Sequence, residues 1–337
     1  MFFSKKKSIL GIDIGTANIK IAQISHDTQP ILETYGIVNT PYQLSGKGDE
    51  NSAIGHMSQL LKALLVKAGV TAKQCVVSLP NSAVFISVIE MPAMNERELA
   101  SAVEFEAKKY VPLALSEIDL AWTVIDSTTK ETGIKILLTA VPKLVTLNYT
   151  NMIEQAGLST LAGEIEALAL IRSLIGNQPT NCVIIDMGAK TTGINIVEHG
   201  LLRLSRNLNV GGDTITNKLS QALNISMVRA EQFKKDFGVS SATFIPETVK
   251  PVLNIVKNEV KQLMTIYQTR NVNLEKIIFV GGASNLPGLI EYFSDLQIPA
   301  EMGDPLKAVA YSEAIAPILK RYTPSLSVAI GLGLRKD

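Results

Sequence analysis

Cysteine is scarce in this sequence, with two in 337 residues. Cys75 and Cys182 both stand inside apolar, strand-like runs. Two cysteines are too few for a disulfide framework, and apolar surroundings favour buried, reduced thiols over metal ligands. The sequence therefore predicts a cytosolic protein without structural disulfides or a cysteine metal site.

An excess of one charge and long apolar runs are lacking as well. Lysine and arginine together number 32 and aspartate and glutamate 31, which leaves a net charge of +1. Such a balance excludes the bulk electrostatic field that attracts nucleic acid or an acidic membrane. No apolar run approaches the roughly 20 residues that a membrane-spanning helix needs. We therefore expect neither a nucleic-acid partner nor a transmembrane segment.

The first seven residues combine two phenylalanines with three lysines. The apolar run behind them stops at Asp13 without a small-residue cleavage site, so we do not expect this start to act as a secretion signal. Two interpretations stay open, a solvated N-terminus and a transient contact with an anionic surface.

Apolar residues make up 46% of the chain, and its length suggests about two domains at roughly 150 residues each. Strand-like and helix-like segments alternate throughout, which is typical of α/β proteins. One motif occurs twice, because residues 10–18 and 183–191 both show an apolar strand, Asp-x-Gly, a small polar turn and another strand. The copies lie about half a chain length apart, which predicts two related halves with a ligand cleft between them.

Each copy has the groups that a phosphate site needs. Gly15 and Gly188 permit a tight turn and a close approach of the backbone, whose amides donate to phosphate oxygens. Asp13 and Asp186 end buried strands, where a carboxylate suits a hydrated Mg²⁺. The alternative, that Asp-x-Gly only shapes a turn, explains one copy better than two in the same strand phase. The predicted phosphate contacts are Gly15, Thr16, Ala17, Asn18, Lys20, Gly188, Ala189, Lys190, Thr191 and Thr192.

A third glycine motif, Val-Gly-Gly-Ala-Ser at 280–284, follows an apolar strand. Two residues without side chains let a flat ring or a phosphate pack against the backbone, and a helix predicted over 286–296 would begin beside it. Neither this motif nor the first hairpin has the Gly-x-Gly-x-x-Gly spacing of dinucleotide-binding folds.

Residues 11–15, 185–188 and 280–284 resemble, in this order, the phosphate-1, phosphate-2 and adenosine motifs of the actin, Hsp70 and sugar-kinase superfamily. The resemblance implies an α/β, actin-like fold with two related halves around a nucleotide cleft. It implies bound ATP or ADP with Mg²⁺, which Asp13 and Asp186 would hold through water, with no direct protein ligand on the metal.

The stretch 211–235 is similar to one in bacterial actin-like proteins whose Glu-x-x-Lys pair contacts the ribose and adenine side. For Lys234, a solvated surface ion pair is the alternative. The implied adenosine and ribose contacts are Gly212, Glu231, Lys234, Lys235, Gly281, Gly282, Ala283 and Ser284.

Within the superfamily, the sequence resembles the PilM family of type IV pilus assembly proteins, relatives of the cell-division protein FtsA. Residues 91–92, 98–99, 104–107 and 110–112 are similar to that family's inserted subdomain, and 328–334 to its last helix. The implied subdomains are 1A (1–79 and 159–179, with the C-terminal helix 324–337 packed on it), the inserted α/β subdomain 1C (80–158), 2A (180–210 and 271–323) and 2B (211–270).

The resemblance implies a cytoplasmic, ATP-binding protein at the cytoplasmic face of the bacterial inner membrane. It would dock the N-terminal cytoplasmic tail of the pilus protein PilN in a groove near the inserted subdomain. Further implied partners are other pilus platform or motor proteins and a second copy of the chain. A small-molecule kinase and a filament-forming actin-like ATPase are the alternatives. Apolar residues of the inserted segment suit a peptide better than a polar kinase substrate, namely Val84, Ile86, Leu113 and Leu115.

Hydrolysis needs a residue that positions water in line with the γ-phosphate. Glu164 and Glu166 stand where the superfamily carries it, and Glu166 aligns best; the alternative is a first-turn acid that favours the helix dipole. Many superfamily members have a lysine within the first hairpin, whereas Lys20 is on the returning strand. We therefore expect at most a slow ATPase that is primarily a nucleotide-dependent binding protein. Asp13→Ala is expected to weaken Mg·ATP binding without unfolding the protein.

Overall fold

The fold is seen in a computed structural model that describes residues 7–26, 28–40, 50–126, 133–240, 245–270 and 272–336. The expectation for the lysine-rich start falls mostly on residues 1–6, which lie outside these ranges. Across the described ranges, no helix combines the length and the apolar character needed to cross a membrane.

Strands and helices alternate as the sequence predicts. The strands are β1 (Lys7–Ile14), β2 (Asn18–His26), β3 (Pro30–Asn39), β4 (Gln74–Leu79), β5 (Phe85–Met91), β6 (Ile118–Asp126), β7 (Ile134–Pro142), β8 (Ser159–Ile165), β9 (Cys182–Met187), β10 (Thr192–Glu198), β11 (Leu201–Leu208), β12 (Lys276–Val280) and β13 (Ala300–Met302). The α-helices are α1 (Glu50–Lys67), α2 (Glu96–Tyr110), α3 (Lys143–Gln155), α4 (Glu166–Leu174), α5 (Gly212–Leu223), α6 (Met227–Phe237), α7 (Ile245–Thr269), α8 (Leu289–Tyr292), α9 (Ala316–Tyr322) and α10 (Ser327–Gly333).

Two five-stranded sheets have the same construction. Their strand orders are β3-β2-β1-β4-β8 and β11-β10-β9-β12-β13. In each sheet the first three strands are antiparallel and the last two run parallel to the strand that carries Asp-x-Gly. The two related halves predicted from the repeated motif are thus confirmed.

An apolar core lies between the two sheets. It contains residues of β1 and β4 from one sheet, residues of β9 and β12 from the other, and buried side chains of α4 and α10. Both cysteines are free and buried, as predicted, and burial raises the pKa of each thiol to about 12. The two halves are therefore joined by packing rather than by a disulfide.

Helix α10 packs on the first half with almost no space between the backbones. A methyl group on Gly11 of β1 would lie 1.9 Å from the carbonyl oxygen of Ala329. A methyl group on Gly331 of α10 would lie 1.9 Å from the carbonyl oxygen of Ala169 in α4. Only glycine permits these two approaches, because any side chain would displace a backbone.

A smaller sheet of order β5-β7-β6 follows β4 in the chain, and α2 covers one of its faces. The sheet and α2, residues 85–142, are referred to below as the inserted unit. Asn95 caps α2, and its partner in the capping box is Glu98. Helix α3 lies within the predicted range 80–158 but buries Met152 and Ile153 in the core of the first half. The exact subdomain boundaries stay a prediction.

The helix predicted over 286–296 is wrong. The structure has a four-residue helix, α8, between short 3₁₀ turns at 282–285 and 294–296. The backbone of Gly288 has a φ of +78°, and that of Gln297 a φ of +61°. Left-handed residues of this kind interrupt a right-handed helix, and glycine adopts the conformation at little cost.

Candidate functional site

A cavity of about 640 Å³ lies between the halves, a size typical of small-molecule sites. Both Asp-x-Gly hairpins and the third glycine motif line it. The predicted site residues among its lining are Asp13, Gly15, Thr16, Ala17, Asn18, Lys20, Glu166, Asp186, Gly188, Ala189, Thr191, Gly212, Glu231, Lys234, Lys235, Gly281, Gly282 and Ala283.

The two hairpin turns are closed by the same hydrogen bond. The amide of Gly15 donates to the carbonyl of Asn18 at 3.0 Å, and the amide of Gly188 donates to the carbonyl of Thr191 at 2.9 Å. A methyl group on Gly188 would come within 2.9 Å of the Thr191 carbonyl oxygen. The duplication thus extends from the strand order to individual backbone contacts.

The first hairpin holds an ion pair. Asp13 on β1 is paired in register with Lys20 on β2, and the Lys20 Nζ lies 2.7 Å from Oδ2 of Asp13. The other carboxylate oxygen accepts from the Ser78 hydroxyl at 3.3 Å, and that hydroxyl accepts from the Ile14 amide at 3.0 Å. Burial alone would lower the pKa of Lys20, but the charge of Asp13 outweighs it and the pKa is raised.

Two further carboxylates face this pair from the other elements. Burial raises the pKa of Asp186 to about 6; the charge of Lys20 lowers it and that of Asp13 raises it. The pKa of Glu166, the first residue of α4, is also raised, by burial and by the charges of both aspartates. Asn81 Nδ2 donates to Oε2 of Glu166 at 2.8 Å. The site thus carries more negative charge than Lys20 alone balances.

The third glycine motif abuts the second hairpin. Gly281 has a φ of +91°, and a methyl group there would lie 2.3 Å from Oδ1 of Asp186. The Gly281 amide donates to the carbonyl of Pro324 at 3.0 Å, which brings the segment before α10 to the cavity. This position requires glycine for both its conformation and its contact.

Helices α5 and α6 supply a polar cluster at another side of the cavity. Lys234 Nζ lies 2.6 Å from Oε2 of Glu231 and donates to the Thr216 hydroxyl at 2.9 Å and to the Gly212 carbonyl at 3.1 Å. Burial raises the pKa of Glu231, but hydrogen bonds from Lys234 and Thr216 outweigh it and lower the pKa. The Lys234 side chain is 10% exposed, so the pair is not the solvated ion pair of the alternative interpretation.

Three predicted contacts do not line the cavity. Thr192 is fully buried and its hydroxyl donates to the Val210 carbonyl at 2.7 Å. Ser284 is buried too, and its hydroxyl donates to the Gly281 carbonyl at 2.7 Å. Lys190 is exposed and lies outside the lining. The hydroxyls of Thr192 and Ser284 hold backbone in place instead of facing the cavity.

The structure also separates the two glutamates. Glu164 on β8 is buried and forms two hydrogen bonds with the Arg172 guanidinium, at 2.5 and 3.1 Å. The same guanidinium donates to the Gly331 carbonyl at 2.7 Å. Arg172 therefore joins α4 to α10 and Glu164 holds its guanidinium in place, whereas Glu166 lines the cavity.

Sequence reasoning missed Asn81, Arg321 and Tyr322, which also line the cavity. A signal existed for Asn81, because it follows the carboxyl end of β4, and ligands in open α/β sheets bind at the carboxyl ends of strands. Arg321 and Tyr322 at the end of α9 reach the cavity only through long-range packing, which no local pattern reveals.

The arrangement suits an anionic ligand that binds together with a cation. Among the described residues, no cluster of three metal-ligating side chains is present. Asp13, Asp186 and Glu166 nevertheless share one cavity, and burial together with neighbouring negative charge raises the pKa of Asp186 and of Glu166. A cation that keeps its own water shell, as Mg²⁺ does, fits carboxylates arranged in this way.

The two sheets have equivalent strand orders and are joined by buried helices, and a cleft lies between their equivalent hairpins. This arrangement defines the class of actin-like proteins. The fold is similar to that of MreB5 of Spiroplasma citri bound to ADP, with a TM-score of 0.55, 15% identity and coverage of 96% of this chain and 94% of that one. The family model of the type IV pilus assembly protein PilM matches residues 11–337, and the chain belongs to that family.

Other comparisons agree with this assignment. The chain is similar in structure to a PilM-PilN type IV pilus biogenesis complex, with a TM-score of 0.86, 23% identity and coverage of 97% of this chain and 98% of that one. It is also 22% identical to the cell division protein FtsA of Streptococcus pneumoniae over 87% of this chain and 76% of the relative. The predicted family, the actin-like fold and the relationship to FtsA are thus confirmed.

Proposed function

We propose that the cleft binds ATP or ADP with Mg²⁺, and that its occupancy controls docking of the N-terminal cytoplasmic tail of PilN near the inserted unit. The observation that carries the nucleotide part is the pair of glycine turns, closed by the same hydrogen bond and facing one cavity. The partner part is supported by membership of the PilM family and by the similar PilM-PilN complex.

The phosphates would lie between the two turns. Backbone of both turns lines the cavity, at residues 15–18 and at Gly188, Ala189 and Thr191, and Lys20 offers a cation. The Lys20 ammonium has three donor hydrogens and can contact a phosphate oxygen as well as Asp13. Asp13 and Asp186 would hold Mg²⁺ through its water shell, and the ion would neutralise phosphate charge.

The nucleoside would lie between α5, α6 and the third glycine motif. Gly212 and Gly281 keep the backbone open there, and Glu231 can accept from ribose hydroxyls because its lowered pKa keeps it ionised. Lys234 holds Glu231 in position through a 2.6 Å contact. Glu231 would therefore be the direct contact and Lys234 its support.

Glu166 would position water for a slow hydrolysis. It lines the cavity beside Asp13 and Asp186, and its raised pKa makes it a stronger base than an ordinary carboxylate. Turnover is secondary in this proposal, because the main role of the nucleotide is to hold the two halves in one arrangement.

The exposed apolar surface that the inserted unit offers to the peptide is smaller than the sequence suggests. Leu113 is 43% exposed, but Leu115 packs against the unit's own core, and Val84 and Ile86 pack against the core between the halves. Docking there would hold the protein at the cytoplasmic face of the inner membrane through its partner. Other platform or motor proteins and self-association are further proposed contacts.

Thermal unfolding tests both sites, because a ligand that binds only the folded state raises Tm by mass action. The protein is melted alone, with Mg·ATP, with a synthetic PilN tail peptide and with both; Mg·AMP and a scrambled peptide are the controls. We expect Mg·ATP and the tail peptide each to raise Tm. No shift with Mg·ATP, after nucleotide already bound has been extracted and identified, would overturn nucleotide binding. A shift with ATP but not with the peptide, together with phosphorylation of an added sugar, would favour a kinase.

A further inference from the structure

The two equivalent hairpins differ at one position of the strand register. In the first hairpin, Lys20 on β2 is paired with Asp13, and its ammonium lies 2.7 Å from the carboxylate. In the second hairpin, Gly193 on β10 is paired with Asp186, so the equivalent position has no side chain. Both Lys20 and Gly193 line the cavity. The second half therefore leaves a space beside Asp186 where the first half holds a cation.

Two amide groups border the space at Gly193. A methyl group on Gly193 would lie 3.6 Å from Nδ2 of Asn81 and 3.8 Å from Nδ2 of Asn195. The next atom is Cβ of Asp186, at 3.9 Å. These are ordinary contact distances, so a heavy atom fits here without displacing a neighbour. Because both amide nitrogens are hydrogen-bond donors, the space suits an acceptor such as a water oxygen.

The amide nitrogen of Asn195 is a donor that is not in use. The side chain is fully buried, and its Oδ1 accepts from the Ser205 hydroxyl of β11 at 2.7 Å. Nδ2 is on the side of Gly193, which lies two residues earlier on the same face of β10, and it forms no hydrogen bond with any described residue. A buried donor without a partner is unfavourable, so an acceptor in this space would be stabilised by Asn195.

Asn81 connects the space to Glu166. Its Nδ2 carries two hydrogens and donates to Oε2 of Glu166 at 2.8 Å. Asn81, Glu166 and Gly193 all line the same cavity. A water molecule at Gly193 would therefore be bounded by an amide donor of the second half and by the Asn81–Glu166 pair.

We propose that Asn195 holds the attacking water of ATP hydrolysis in the space at Gly193, and that Asn81 keeps the Glu166 carboxylate beside that water. This inference rests on the slow hydrolysis proposed above. Nδ2 of Asn195 donates to the water oxygen, and Glu166 accepts a proton from the water as its oxygen bonds to the γ-phosphorus. The bond between that phosphorus and the oxygen bridging to the β-phosphate breaks, which gives ADP and inorganic phosphate. Glu166 then releases its proton to solvent.

Asn195→Ala removes the donor and leaves every proposed nucleotide contact in place. We expect phosphate release at saturating ATP to fall about tenfold, the loss typical of one hydrogen bond, while the Kd of Mg·ATP by titration calorimetry stays within about twofold of the wild type. Asn217→Ala is the control, because Asn217 is exposed on α5 outside the cavity lining and should behave as the wild type. An unchanged rate in Asn195→Ala would overturn the inference.

Gly193→Ala tests the space without removing an amide. The added methyl makes only ordinary contacts, so Tm should be no lower than that of the wild type. The methyl would occupy the place of the water oxygen, so phosphate release should again fall about tenfold at unchanged Mg·ATP affinity. A rate equal to that of the wild type would show that the space is not used and would contradict the proposal.

The double variant Glu166→Gln with Asn195→Ala separates a shared water from a merely structural role. Groups that act on one water lose their effects together, so the double variant should release phosphate about as fast as Glu166→Gln alone. A further loss of about tenfold, or weaker Mg·ATP binding in Asn195→Ala, would assign Asn195 to the shape of the cleft and overturn the inference.

The wild type distinguishes the two levels of the proposal. Mg·ATP binding without phosphate release would leave the nucleotide site and remove both hydrolysis and the water site. Failure to bind Mg·ATP would overturn the proposed function and this inference together. Wild-type turnover with unchanged rates in Asn195→Ala and Gly193→Ala would overturn this inference alone.

Discussion

The ammonium group of Lys20 lies 2.7 Å from the carboxylate of Asp13, directly across the first hairpin, and the two side chains are 15% and 5% exposed. A buried pair of this kind adds little to stability over an apolar pair, but the removal of one partner leaves an isolated charge in a poorly solvated place. The charge balance of the cleft therefore depends on both residues together.

Asp13→Ala should cost folding stability as well as affinity. The substitution removes the closest partner of the Lys20 ammonium, whose charge Asp186 and Glu166 then compensate in part. We expect the free energy of unfolding to fall by about 2 kcal/mol, less than for a buried charge left with no partner. The sequence suggested an effect on Mg·ATP binding alone. Urea denaturation measures the loss, and Asp13→Ala combined with Lys20→Met should recover most of it. A double variant as unstable as Asp13→Ala would contradict this account of the pair.

Glu166→Gln keeps the volume of the side chain and its bond with Asn81 but removes the group that takes up a proton. We expect phosphate release to fall about 100-fold while Mg·ATP affinity is kept or improved, because one negative charge leaves the cleft. Phosphate release at saturating ATP is the measurement. A rate equal to the wild type would exclude Glu166 from hydrolysis.

Glu164→Gln is the same substitution two residues earlier, but it should lower stability and leave phosphate release unchanged. It weakens the buried pair with Arg172, so we expect a loss of about 2–4 kcal/mol in the free energy of unfolding. Phosphate release per folded molecule should not change, because Glu164 does not line the cavity. Denaturant midpoints and phosphate release, measured on both variants, separate the two roles.

Asp186 should make stability depend on pH. Its pKa rises from an ordinary 3.8 to about 6 in the folded protein. Between these values the folded state binds more protons than the unfolded state, so this residue's contribution to stability falls as pH rises and is lost above the folded pKa. Asp186→Asn should therefore gain Tm relative to the wild type as pH rises through this window. A constant difference in Tm would argue against the raised pKa.

Gly11→Ala should weaken the attachment of α10. The methyl group would overlap the Ala329 carbonyl, and relief by moving the helix should cost about 3 kcal/mol in the free energy of unfolding. Gly55→Ala is the matched control, because nothing lies within 4 Å of a methyl group there. That residue is inside α1, where alanine should stabilise by about 1 kcal/mol. Equal effects of the two substitutions on the urea midpoint would contradict the close packing.

The hairpins and their duplication could be predicted from sequence because the signal is local. Strand, Asp-x-Gly, turn and strand occupy consecutive residues, and the second copy repeats the first. The sequence does not show where Glu164 and Glu166 point, because the chain changes from strand to helix between them: β8 ends at Ile165 and α4 begins at the next residue. The side chains on either side of that change point to different places, which spacing alone does not show.

What the sequence could not show depends on contacts between distant segments. The helix predicted over 286–296 follows from a sound apolar pattern, but left-handed Gly288 overrides it. Arg321 lines the cavity three residues before Pro324, whose carbonyl accepts from the distant Gly281 amide. The hydrogen bond between Asn81 and Glu166 joins residues that lie 85 positions apart in sequence, and no local pattern connects them.

Helix α10 also bears on how the protein is made. Strand β1 is among the first parts of the described chain to leave the ribosome, whereas the helix whose backbone covers Gly11 is among the last. The first half therefore cannot complete its packing until residues 327–333 have been synthesised, although most of its strands precede them by well over a hundred residues. During that interval one face of its sheet stays open, and nascent chains in this state are the ones that chaperones protect from aggregation.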